Sequence, residues 1–180
     1  MDASLLYQSV CDQLKELQIK LGYAYESTRF YYKVTSVNAL TGANAKDVNE
    51  LCRQLHAGHA LEGTPLGNVT FGSHEDRLEV RVPPTGAQYV HEQMPEPRFL
   101  TALIELFLTN HHATQEQILA LFAQFTPNYV VEQVPEGFGF DFSVHFEDER
   151  IDPYYYCFTN ETGHIIYHRF LSADYQTMFD

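Results

Sequence analysis

A stretch of alternating phenylalanines constrains the fold of this chain more than any other segment. From Phe138 to Phe146 every even position is Phe or Val, whereas the odd positions are Gly, Asp, Ser and His. A period of two is typical of a β-strand that buries one face and leaves the other in polar surroundings. The sequence therefore predicts a strand over residues 138–146, on which the rest of the chain packs.

Further strands are predicted on both sides of this one. Residues 129–134 precede it across a turn at 135–137, and residues 154–158 follow an acidic loop. A turn at 160–163, which ends in Gly, then leads into residues 164–170. Consecutive strands joined by short loops form an antiparallel meander, so we expect an antiparallel sheet at the C-terminal end.

Helices are predicted where apolar residues recur at spacings of three and four. They cover residues 3–21, 46–61, 99–111 and 115–125. Thr114 and Gln117 match a capping box at the start of the last helix. Additional strands are expected near 29–34 and 69–82. The predicted fold is α+β: one domain over residues 1–180, an antiparallel sheet built on the C-terminal meander, and helices packed on one face.

Composition limits the class of partner. The chain has 180 residues, 44% of them hydrophobic, and a net charge of -13. This acidic excess disfavours nucleic acid and anionic membranes. The helix pair within 99–125 followed by a β-ribbon has the order of a winged-helix DNA reader, but residues 115–125 contain no Lys or Arg. We therefore expect neither nucleic acid nor membrane as a partner.

The expected location is the cytoplasm. No apolar run is long enough to span a bilayer, and the N-terminus lacks the basic and apolar regions of a signal peptide. The cysteines, Cys11, Cys52 and Cys157, stand far apart in the sequence. An odd, scattered set is not the pattern of a disulfide framework or of a Cys-x-x-Cys metal site.

The candidate site lies on the more polar face of the meander. If the 160–163 turn pairs Phe158 with Ile165, alternation places a set of polar and reactive side chains on the face opposite the phenylalanines. The predicted ligand-binding residues are Asp141, His145, Tyr155, Cys157, His164 and His168.

Two classes of function fit this set. Imidazoles with an open position suit Zn²⁺, and a histidine beside Cys157 would lower the thiol pKa. Either arrangement would make a metal-dependent or Cys/His hydrolase-type enzyme. The other hypothesis is a small acidic module that binds a ligand or a protein through its Tyr-rich sheet, or forms a homo-oligomer along it. Both hypotheses, and an alternative in which this face is merely solvated, stay open at the level of sequence.

Four segments carry a family resemblance. They are residues 29–40 (beginning Arg29-Phe-Tyr-Tyr-Lys-Val), 89–92, 145–158 and 163–170. Together they resemble an uncharacterised bacterial family of small proteins, known as a domain of unknown function. The resemblance extends over nearly the whole chain. It implies no particular activity, and it implies that no well-known catalytic motif is present.

Overall fold

Two separate sheets organise the chain. The computed structural model describes residues 1–179, and the chain divides into two compact units, Met1–Pro95 and Glu96–Asp180. Each unit has its own antiparallel sheet and its own helices. The predicted α+β class is confirmed. That the whole chain behaves as a single domain stays a prediction.

The N-terminal unit combines helices with a sheet of order β1-β3-β2, in which neighbouring strands are antiparallel. Its elements are α1 (Ser4–Leu21), β1 (Thr28–Lys33), α2 (Val34–Thr41), α3 (Val48–Ala57), β2 (Thr70–His74), β3 (Arg77–Val82) and α4 (Pro84–Gln93). Leu78, Val80 and Val82 of β3 are fully buried. The charged residues between them point away from the core, as the alternation predicts.

The C-terminal unit contains the predicted meander, with strand order β4-β5-β6-β7. Its elements are α5 (Arg98–Thr109), α6 (Gln115–Phe125), β4 (Tyr129–Gln133), β5 (Phe142–Phe146), β6 (Tyr154–Glu161), β7 (His164–Leu171) and α7 (Ser172–Gln176). Helix α6 starts with the predicted capping box. Thr114 Oγ1 accepts a hydrogen bond from the Gln117 amide, and Gln117 Oε1 accepts one from the Thr114 amide.

One face of this sheet forms the aromatic core of the unit. The Phe99 ring of α5 lies 4.3 Å from Phe122 of α6, 4.8 Å from Phe146 and 5.1 Å from Tyr156, measured between centroids. The buried Tyr156 hydroxyl donates a hydrogen bond to Asp152 Oδ2 at 2.9 Å. Helices α5 and α6 therefore cover the face that the sequence predicts to be buried.

The predicted Phe-rich strand is wrong in its first half. Strand β5 begins at Phe142, four residues later than expected. Gly139 has a φ of 79°, in the left-handed region that glycine adopts readily and other residues avoid. This reversal of the backbone ends the alternation, so Phe138 and Phe140 do not belong to the strand.

The β6–β7 hairpin fixes the register of the sheet. Its turn residues, Thr162 and Gly163, both have positive φ, as a two-residue type I′ turn requires. Phe158 pairs with Tyr167, so the predicted pairing with Ile165 is wrong by two residues. A shift of two leaves every side chain on its predicted face. Among residues 1–179, no helix has both the length and the apolar character needed to cross a lipid bilayer.

Candidate functional site

The second face of the C-terminal sheet, opposite α5 and α6, carries most of the predicted site residues. Cys157 of β6 pairs with Ser143 on one side and with His168 on the other. The His145 ring stacks on Tyr155, with centroids 4.0 Å apart. Cross-strand neighbours lie on the same side of a sheet. We use the term second face for the surface defined by Ser143, His145, Tyr155, Cys157 and His168.

The histidines do not converge on one point of this face. His164 and His168 are four residues apart on β7, which is about 13 Å along a strand. His164 Nδ1 lies 3.0 Å from the His111 carbonyl oxygen, and its ring stacks on His112 at 4.6 Å. Within residues 1–179, no group of three or more His, Cys, Asp or Glu side chains has the arrangement needed to hold a metal ion.

Asp141 also lies away from the centre of the second face. Its Oδ2 accepts a hydrogen bond from the Asn160 amide at 2.7 Å, and its own amide donates to the Phe158 carbonyl at 2.8 Å. The side chain lines a pocket of about 390 Å³ together with His112 and Thr114. The Asp141 carboxylate therefore ties the residue before β5 to β6, at the hairpin end of the sheet.

Aromatic rings cover part of the second face. Because the backbone reverses at Gly139, the Phe140 ring lies 5.7 Å from His168 and 5.9 Å from Phe170. The Phe138 ring lies 5.0 Å from Phe179, which follows α7. Phe138 and Phe140, which the alternation predicts on the buried face of the strand, thus pack with side chains on the opposite side of the sheet.

Cys157 is buried beneath this layer. Its side chain is fully inaccessible to solvent. Burial, with a smaller contribution from Glu132, raises the pKa of the Cys157 thiol to about 12. A thiolate is the nucleophilic form of cysteine, and this environment suppresses it at neutral pH. The geometry therefore gives no support to a Cys157 nucleophile.

Helix α7 places a tyrosine over the second face. The Tyr175 hydroxyl donates to Glu132 Oε2 at 3.2 Å and lies 2.8 Å from Ser143 Oγ. With the Tyr175 proton directed to the carboxylate, Ser143 is the donor to Tyr175. Burial of the phenol is the main reason that the pKa of Tyr175 is raised to about 12. This chain of hydrogen bonds satisfies Ser143, which is completely buried.

Two further rings, His145 and Tyr155, form a stack with the same tyrosine. His145 stacks on Tyr155, and Tyr155 stacks on Tyr175 with centroids 4.3 Å apart and planes inclined by 22°. Burial lowers the pKa of His145, although Glu132 and Glu147 act in the opposite direction. The neutral imidazole is therefore the favoured form within the stack. Its Nδ1 atom is buried and, among the described residues, has no hydrogen-bond partner.

A pocket of about 420 Å³ opens beside this cluster, between β4 and the end of the chain. It is lined by Glu132, Gln133, Pro135, Tyr175, Gln176 and Phe179. The Phe179 side chain is 41% exposed, and its ring meets Tyr175 edge to face at 5.1 Å. The pocket thus combines a carboxylate with aromatic surface, which is the chemistry that attracts an organic cation.

Sequence reasoning missed the residues that build this pocket. Glu132 lies on a strand whose polar positions were not assigned to a face, and Tyr175 and Phe179 lie in or after a helical turn with no predicted contacts. No sequence signal places Tyr175 and Phe179 on the sheet, because they reach it through tertiary contacts. Strand β7 ends at Leu171, α7 begins directly at Ser172, and the helix folds back on the sheet.

The fold and this site define a small α+β protein with a pocket-bearing antiparallel meander. Residues 3–179 match the family described as "Domain of unknown function, E. rectale Gene description (DUF3877)". The chain belongs to this bacterial family, and the resemblance seen in its sequence is confirmed. No curated protein and no solved structure shows significant similarity to it.

Proposed function

We propose that the chain is a binding protein whose C-terminal unit takes a small organic cation, with an ammonium or guanidinium group, into the Glu132–Phe179 pocket. The observation that carries the proposal is the fixed position of Tyr175 between a carboxylate and an aromatic stack. The expectations of a cytoplasmic location, and of no nucleic acid or membrane partner, belong to the same proposal.

Charge supports a cationic ligand. Glu132 is an exposed carboxylate at the pocket, and the whole chain has a net charge of -13. A negative potential raises the local concentration of cations and excludes anions. A hydrogen bond between an ammonium or guanidinium group and a carboxylate is among the stronger polar contacts in proteins. Glu132 would therefore be the main residue that selects positively charged ligands.

Preorganisation supports binding of a ligand rather than mere solvation. The Tyr175 ring is held by stacking on Tyr155, and its hydroxyl is held by Ser143 and Glu132. A wall fixed before the ligand arrives loses little conformational entropy on binding. The exposed Phe179 ring adds a face over which a cation gains further electrostatic attraction.

Binding alone, without catalysis, is what these groups support best. Cys157 is buried with a raised pKa, and the Tyr175 hydroxyl, whose pKa is also raised, holds its proton toward Glu132. A covalent mechanism needs an accessible nucleophile with an activating base in hydrogen-bond reach. Cys157 is not accessible, and among the described residues no base is hydrogen-bonded to its thiol. We therefore propose a ligand-binding role.

The test is a titration with n-butylguanidinium and n-butylamine, followed by NMR of the aromatic side chains. We expect both cations to shift the signals of Tyr175 and Phe179. The isosteric neutral compound n-butanol should shift them much less. The Glu132→Gln variant retains an acceptor for Tyr175 but loses the charge, so its affinity for both cations should fall about tenfold.

Glu136→Gln is the matched control. Glu136 is exposed in the adjacent turn and lies outside the pocket lining. The Glu136→Gln variant removes the same charge as Glu132→Gln. Its affinity for both cations should change by less than about twofold if the local contact with Glu132 dominates. Equal binding of butanol and butylamine, or wild-type affinity in Glu132→Gln, would contradict the proposal.

A further inference from the structure

The exposed face of the N-terminal sheet concentrates positive charge in an otherwise acidic chain. Four of the eleven Lys and Arg residues point from its strands, but among the Asp and Glu residues of 1–179 only Glu79 does. The charged and titratable positions, which define the basic sheet face, are Arg29, Lys33, His74, Arg77, Glu79 and Arg81. The four Lys and Arg side chains are solvent exposed.

Like charges stand directly opposite each other across this face. Lys33 of β1 pairs with Arg77 of β3, which pairs in turn with His74 of β2. Arg29 pairs with Arg81 in the same way. Like charges placed opposite each other on neighbouring strands lower the stability of a sheet. Two such rows on one face are unfavourable unless an anion neutralises them.

One row has an internal counter-charge. Glu79 Oε1 lies 3.3 Å from an Arg81 guanidinium nitrogen, and Glu79 Oε2 lies 3.9 Å from one of Arg29. The other row has none: within residues 1–179, neither Lys33 nor Arg77 forms an ion pair with a carboxylate. Its charge is therefore available to an anion from outside the chain.

An aromatic ring lies between the two rows. Tyr31 is 42% exposed, its ring centroid lies 5.0 Å from that of His74, and its hydroxyl lies 3.4 Å from Glu79 Oε2. A tyrosine of this kind offers apolar contact area that is already held in place. The basic sheet face thus alternates positive, aromatic and positive along β1, and positive, negative and positive along β3.

We propose that the basic sheet face binds an extended acidic segment of a partner protein. The two basic rows are four residues apart, about 13 Å, and an extended peptide repeats its side chains with the same step. Acidic residues at positions i and i+4 meet the two rows, and an apolar residue at i+2 meets Tyr31. Arginine pairs with carboxylates in a bidentate geometry that adds specificity to the charge.

Nucleic acid fits this face less well than an acidic peptide. Sequence-independent binding of a single strand uses several aromatic rings on which successive bases stack, whereas the basic sheet face presents Tyr31 alone. The net charge of -13 also repels a long polyanion beyond the reach of the local rows. A short acidic segment brings fewer charges and contacts only the basic rows.

The test uses a fluorescein-labelled peptide with glutamates four positions apart and a leucine midway, titrated with the full chain. We expect saturable binding that weakens at least fivefold as salt is raised well above physiological strength. Lys33→Glu combined with Arg77→Glu should weaken binding at least tenfold. The matched control, Lys46→Glu with Arg53→Glu, reverses the same charge on exposed residues elsewhere and should change it less than twofold.

Other outcomes would overturn the proposal. One is an absence of peptide binding, and another is an equal loss of peptide affinity in both double variants. The others are tighter binding of an oligothymidylate of the same charge, and self-association that masks the basic sheet face. NMR mapping on the unmodified protein guards against a misfolded variant, because the peptide should shift Tyr31 and His74. Shifts confined to the C-terminal unit would contradict the assignment.

Discussion

The basic sheet face of the N-terminal unit and the second face of the C-terminal sheet both consist mainly of polar residues. In the structure they differ completely. The first presents arginines, a lysine and one glutamate to solvent, whereas the second is overlaid by α7 and by aromatic rings. The kind of polar residue decides the outcome. Ionised side chains are too costly to desolvate, but the neutral side chains of serine, cysteine, histidine and tyrosine cost less to bury, above all where they are hydrogen-bonded.

The sharpest test of this comparison is truncation of one aromatic residue in each sheet. Phe146 is 2% exposed and packs against Phe99 and Phe122. Phe146→Ala should lower the free energy of unfolding by about 3–5 kcal/mol. Tyr31→Ala, on the open face, should change it by no more than about 0.5 kcal/mol. Urea denaturation followed by circular dichroism measures both, and similar losses would break the comparison.

Thiol reactivity tests whether the second face is closed. A variant that keeps only Cys157 should react with a disulfide reagent at pH 8 more than about a hundredfold slower than an exposed thiol, because its pKa is raised to about 12. A variant that keeps only Cys52, which is half-buried, serves as the control. Addition of urea should abolish the difference. Rapid labelling of native Cys157 would show that α7 does not protect it.

The hydroxyl of Tyr175 should matter more than that of its stacking partner. Tyr175→Phe leaves the buried Ser143 without its partner and should lower the free energy of unfolding by about 1–3 kcal/mol. Tyr155→Phe keeps the stack, and among the described residues its hydroxyl makes no hydrogen bond, so its effect should be close to zero. Thermal and urea unfolding compare them; equal effects would mean that the hydrogen-bond chain contributes nothing.

The smallest expected effect separates stability from binding on the basic sheet face. Lys33→Glu replaces a like-charge pair with an ion pair to Arg77 and should raise the free energy of unfolding by about 0.5 kcal/mol. Peptide binding should weaken at the same time. Because Lys33 also precedes α2, a double-mutant cycle with Arg77→Gln isolates the pairing from the effect on the helix terminus. If Lys33→Glu lowered the free energy of unfolding instead, the inferred repulsion between Lys33 and Arg77 would be contradicted.

Local periodicity was enough to predict most elements of the fold. The alternation in β3, the apolar stripe of α1 and the Thr114–Gln117 capping box all follow from residues close together in sequence. The start of β5 did not, because Gly139 reverses the chain where the phenylalanine pattern continues. Glycine permits that reversal without requiring it, and alternation alone does not reveal it.

The candidate site was only partly predictable, for a geometric reason. Strand parity correctly grouped His145, Tyr155, Cys157 and His168 on one face, even with the register wrong by two. Parity says nothing about position along the strand, so His164 was expected close to residues that lie far from it. The cover supplied by Tyr175 and Phe179 is a tertiary contact that no local pattern encodes.

The stacked pair Tyr155–Tyr175 has an optical consequence. The chain contains 12 tyrosines and no tryptophan, so its near-ultraviolet spectrum is dominated by phenol rings. Two phenols held 4.3 Å apart in nearly parallel planes couple their electronic transitions, and this coupling disappears when the rings separate. The circular dichroism of the unlabelled protein near 280 nm is therefore expected to change when α7 leaves the sheet.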